Sequence, residues 1–161
     1  MAIHRLEIQN AIKATLESVE GVANVYVDEA PRIDDYEEFK TAYETEYDGF
    51  VQLWTIQRTA SPARTAQTHS GQIPISDVHF YHNFRVELFW GYEEDTGESV
   101  FQALIDAVLD EFKNKRTLGA FSTAKPLDLA SITPEWRHNV MGKVAVFDVT
   151  VIDPQRALAW Q

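Results

Sequence analysis

The chain has no cysteine among its 161 residues, so it can hold no disulfide, thiolate metal ligand or cysteine nucleophile, and packing alone must stabilise it. No apolar run approaches the roughly 20 residues that cross a bilayer as a helix. The N-terminal stretch carries charged and polar groups throughout, so a soluble, unprocessed protein with no membrane partner is expected. The 7 glycines are scattered and form neither G-x-x-x-x-G-K-[ST] nor G-x-G-x-x-G, which removes the usual phosphate cradles. No G-x-S-x-G elbow occurs, and the flanks of Ser70 and Gly71 lack its pattern. Basic residues are also few, with 14 Lys and Arg against 25 Asp and Glu. The net charge of -11 comes with no basic stripe to release counterions from a nucleic acid, so tight binding to DNA or RNA is not expected.

The titratable residues that are present do not form a recognisable site. Asp34, Asp35, Glu37 and Glu38 lack the D-x-D-x-D-G order and distal Glu of a calcium loop, and read as solvated surface charge. His79 and His82 lie three apart on an expected strand, point to opposite faces and cannot chelate one ion together. His82 falls on the apolar side and reads as a hydrogen-bonded or sheet-edge residue, while His4, His69 and His138 stand alone. No cofactor, metal or catalytic set is expected, and the chain reads as non-enzymatic.

What the chain has is a globular composition, 45% apolar with 4 Trp, 9 Phe and 6 Tyr. A single domain of this size buries about 70% of the surface that its unfolded chain exposes. The clearest strand is 78–92, where Val78, Phe80, Phe84, Val86, Leu88 and Trp90 share one parity and His79, Asn83, Arg85 and Glu87 the other. Tyr81 and Phe89 stand on that second, nominally exposed parity. A helix over 98–116 follows, with Val100, Phe101, Leu104, Ile105, Val108, Leu109 and Phe112 as its stripe and Ser99 with Gln102 as a candidate capping box. Ile8, Ile12, Leu16 and Val19 predict an amphipathic helix over 4–20 that ends at Gly21.

Residues 22–27 alternate as a short strand, and 50–59 read as a strand apolar on both faces. Between them, the acidic segment 28–48 holds nine carboxylates, with Tyr36, Phe39, Tyr43 and Tyr47 spaced as a short helix that docks its aromatic side. Residues 60–75 contain Arg64 and His69 but no carboxylate, and read as a long loop. The stretch 118–134 reads as irregular, with a brief pairing at 130–132 left open, a last strand runs from Val140 to the Asp153-Pro154 stop, and 154–161 form a tail bearing Trp160. Strands joined without helical crossovers pair antiparallel. The expected fold is a single α+β domain over 1–161, with about four to five mostly antiparallel strands and two main helices packed on one face.

This order of elements resembles the tail terminator proteins of long-tailed bacteriophages. The resemblance is carried by the first helix (Ile8, Ile12, Leu16, Val19), the V-x-V strand with its acidic continuation (Val25, Val27, Asp28, Glu29), FVQLWTIQRT and VHFYHNFRVELFWGY around the loop, SVFQALIDAVLDEF and KVAVFDVTVID. It covers nearly the whole chain as an order of elements and contains no catalytic signature. It implies a ring of six copies at the head-proximal end of the tail, which stops tube polymerisation and meets the head connector. The implied partners are the chain itself, the tail tube protein and a head connector or head-completion protein, with DNA passing through unbound. The implied location is the virion neck, and the host cytoplasm during assembly.

Ring packing needs complementary patches. Candidates are Tyr81, Arg85 and Phe89 on the second parity of the central strand, Arg64 and His69 in the carboxylate-free loop, and Asp34, Asp35, Glu37 and Glu38 in the acidic segment. Two other functions stay open: a different neck or head-completion protein, or a small ligand-binding or enzymatic domain with a pocket between helix 99–112 and the sheet.

Overall fold

The computed structural model describes residues 4–45, 50–59, 63–68, 76–91, 97–115 and 117–156. Three helices and seven strands are formed: α1 Arg5–Glu17, β1 Val25–Val27, α2 Tyr36–Tyr43, β2 Val51–Arg58, β3 Ala63–Thr68, β4 Ser76–Gly91, α3 Gly97–Asn114, β5 Thr117–Leu118, β6 Phe121–Arg137 and β7 Val140–Arg156. The strands make one sheet in the order β1-β2-β4-β7-β6-β5, with β3 also on β4. All pairs are antiparallel except β1 with β2, which run parallel because α2 provides the crossover between them. The α+β class therefore holds, with more strands than the sequence pattern predicts.

The central strand earns its place through its two faces. His82, Phe84, Val86, Leu88 and Trp90 are buried, and all but His82 join Ile8, Ile12, Leu16, Phe101, Leu104, Ile105, Val108 and Phe112 in the main core. Both expected main helices thus lie on that face. On the other face α2 lays Phe39 and Tyr43 over Val51, Leu53, Phe89, Val140 and Val144, a second core. This bears out the two-faced burial of β2 and the aromatic docking side of the acidic segment; Tyr47 lies outside the described residues. Asp35 caps α2, accepting from the backbone N–H groups of Glu37 (2.8 Å) and Glu38 (3.2 Å).

Three segments depart from expectation. Residues 121–137, expected to be irregular, are a long strand whose pairing with β7 shifts register at 123/125, 125/128 and 129/131. Bulges of this kind erase the two-residue period that would mark a strand. Within 60–75, Ala63–Thr68 is a strand, from Ala63 opposite Tyr81 to Thr68 opposite Ser76. β7 continues through Pro154 to Arg156, beyond the point where β6 has ended at the pair Ser122–Ile152. A proline is tolerated where a strand has a free side. Ser99 is not the start of α3 but lies inside it, and Gln102 Nε2 donates to Glu98 Oε1 (3.1 Å). No helix among the described residues is long and apolar enough to cross a membrane.

Candidate functional site

β2 and β3 follow one another along the same side of β4. From the pair Arg58–Phe84 to the pair Ala63–Tyr81 the chain advances five residues on one strand and three on the other, so the β2–β3 side carries two extra residues opposite His82 and Asn83. Thr59 N–H donates to the Asn83 carbonyl (3.0 Å) at that step. His82 on β4 and Asp153 on β7 are fully buried there, while Phe80, Tyr81 and Ile152 beside them are half-buried. β3, residues 76–81 and residues 152–156 thus form a three-stranded arm that continues the sheet past the ends of β2 and β6.

The sequence-derived candidates fall on and around this arm. Arg64 lies on β3 opposite Phe80, and His69 lies outside the described residues. Tyr81 is half-buried at the arm's base. Arg85 is exposed on the outer face, its Nε 3.9 Å from Asp148 Oδ1, and Thr150 Oγ1 donates to Asn83 Oδ1 (2.7 Å) beside it. Phe89 does not belong to an open face. It is fully buried under α2, edge-on to Phe39 at 6.2 Å, with the Arg137 guanidinium 5.0 Å over its ring. The same outer parity is therefore covered at the Phe89 end and open from Asn83 to Arg85. Asp34, Asp35, Glu37 and Glu38 are exposed around the start of α2, where negative charge suits the helix dipole, and Asp34 pairs with Arg32 (3.1 Å).

One cluster escapes sequence reasoning. Asp153, 1% exposed, has Oδ1 3.2 Å from His4 Nδ1 and Oδ2 3.4 Å from His82 Nε2, and His82 is 0% exposed. The three residues are separated by up to 149 positions, so only the pairing of β4 with β7 and the docking of α1 bring them together. Burial pushes the His82 imidazole below its ordinary value, while Asp153 pulls the other way. Among the described residues no group of three His, Asp or Glu side chains is arranged to hold a metal ion.

A second feature is a cavity of about 360 Å³ between the end of α1 and α3, lined by Val19, Gly21, Trp90, Val100, Leu104 and Ala107 among others. Its walls are mainly apolar, and the Trp90 indole N–H has no acceptor among the described residues. Glu98 is held below the usual carboxylate range by Lys143, whose Nζ is 2.7 Å away, and by Gln102, which fixes the start of α3 to β7 at this end of the sheet. No protein-family model matches the sequence, and neither does any curated protein.

Proposed function

We propose that the chain is a structural subunit of a long-tailed phage virion, forming a ring at the head-proximal end of the tail that terminates the tube and joins it to the head connector. The observation that carries this reading is the three-stranded arm. It extends the sheet beyond the ends of β2 and β6, leaves the outer edge of β3 without a described partner, and takes β3 from the segment 60–75, which carries no carboxylate. A subunit that closes a ring head-to-tail needs a projecting element of one character and a receiving surface of another. The exposed carboxylates at the start of α2 supply the second. The net charge of -11 keeps such a ring from gripping DNA in its channel. The element order that resembles tail terminators supports the same assignment, and the role asks no catalysis of the chain. Removing residues 62–71 is expected to leave a folded protein that no longer caps tail tubes; undiminished capping would contradict the role of the arm.

A second reading, a small ligand-binding domain, is favoured by the mainly apolar cavity beside α3, because its walls match the place expected for a pocket. Val100→Trp would fill it. Loss of a bound apolar ligand with assembly unchanged would favour this reading over the first.

A further inference from the structure

The His4, Asp153 and His82 cluster occupies the base of the arm, where β3 takes over from β2 beside β4. His82 is fully buried on β4 and stands where the opposite strand carries its two extra residues. Its ring stacks on Phe84 at 6.0 Å, and among the described residues neither of its nitrogens makes a well-aligned hydrogen bond. Asp153 is buried on β7, paired with Phe80 across the sheet. Its second carboxylate oxygen faces His4, which begins α1 and lies against Phe121 at 5.5 Å. One carboxylate thus ties together the first turn of α1, the central strand and β7, which forms one edge of the arm.

A buried imidazole is tolerable while neutral. A proton on it places a charge where no water reaches, compensated only by an Asp153 already shared with His4. The charged and titratable groups acting on His82 are Asp153 from β7, His4 from the start of α1 and Arg58 from β2. Only the first favours a cationic His82; Arg58 and His4 oppose it, and so does burial, the largest influence.

We infer that this cluster is an acid-sensitive joint: protonation of His82 loosens the base of the arm and the first turn of α1 while the α3-covered core stays intact. The inference rests on the packing alone and stands whether or not the chain forms a ring. Its sign follows from linkage. The folded state holds the His82 proton less well than the unfolded chain does, so stability is full above about pH 6.5, the ordinary value of histidine, and falls as pH drops below it. One proton taken up on opening changes the opening equilibrium by up to about tenfold per pH unit in that window.

The full chain can be tested by urea unfolding at pH 7.5, 6.5 and 5.5, together with the variants H82Q and H4Q. The wild type should lose stability between pH 6.5 and 5.5, H82Q should lose the part of that slope due to one proton, and H4Q should keep most of it, since burial, the largest influence on His82, is unchanged. An unchanged slope in H82Q, or a slope removed by H4Q alone, would overturn the assignment. Should H82Q fail to fold, hydrogen exchange on the wild type decides. Amides of 80–84 and 149–153 should lose about fivefold protection relative to those of α3 on going from pH 6.5 to 5.5, after correction for intrinsic exchange. Uniform loss, or none, would refute the joint.

Discussion

Gln52 shows how much one buried polar side chain settles. It is 1% exposed, accepts from the Ala23 backbone N–H (2.8 Å) and the Trp54 indole N–H (2.5 Å), and donates to the Gly21 carbonyl (2.9 Å). Gly21, at φ 96°, makes the turn that ends the α1 region, so Gln52 fixes the chain path from α1 into β1. Replacing it with Leu leaves these partners without their bonds, and Gln52→Leu should destabilise by about 2–4 kcal/mol in urea unfolding. Gly142 makes a steric argument of a different kind. It lies opposite Gly91, and a methyl group there would collide with the Trp90 carbonyl oxygen. Gly142→Ala should cost about 2–3 kcal/mol, read as a lowered melting temperature, because the obstacle is backbone rather than a side chain that can swing away. Neither role is visible in the sequence, where Gln52 is one polar residue in an apolar strand and Gly142 sits beside a turn.

Among the elements, the helices and the central strand were legible because their apolar residues repeat with a clean period, 3.6 for α1 and α3 and 2 for β4. α2 was legible through Tyr36, Phe39 and Tyr43 despite its exposed acidic residues. β6 was not, since its register shifts break the alternation and Pro126 and Pro134 read as punctuation; beyond its short pairing with β5 it is an edge strand, where proline and bulges blunt unwanted pairing. The β6–β7 turn was hidden for another reason. His138 (φ 48°) and Asn139 (φ 65°) form a two-residue hairpin loop without the glycine that usually signals one. The interface candidates divided along the same physical line: parity placed Arg85 correctly on the outer face, but only tertiary packing shows that α2 covers Phe89. The second core rests largely on Phe39, which touches Phe89, Tyr43 and His138. Phe39→Ala should cost about 3–4 kcal/mol and free α2, with hydrogen exchange rising in 36–43 well before it rises in α3.

For the whole molecule, fold and assembly make separable demands. Arg85 and Asp148 are about half exposed, and a pair of that kind contributes at most about 1 kcal/mol. Arg85→Glu should therefore leave the melting temperature within a few degrees of wild type while weakening self-association; equal loss of both would return the outer face of β4 to a scaffold role. The charge distribution points the same way, since the acidic start of α2 and the carboxylate-free segment 60–75 are most useful when they belong to different copies. The central claim, that the arm joins copies of this chain into a ring, is tested most directly by light scattering after size exclusion across a wide concentration range, on the full chain and on the chain lacking residues 62–71. The account predicts that the full chain gains a discrete closed species near six times 18.4 kDa as concentration rises, and that the shortened chain stays monomeric and folded. A full chain that remains monomeric at every concentration, or a shortened chain that assembles equally well, would contradict it.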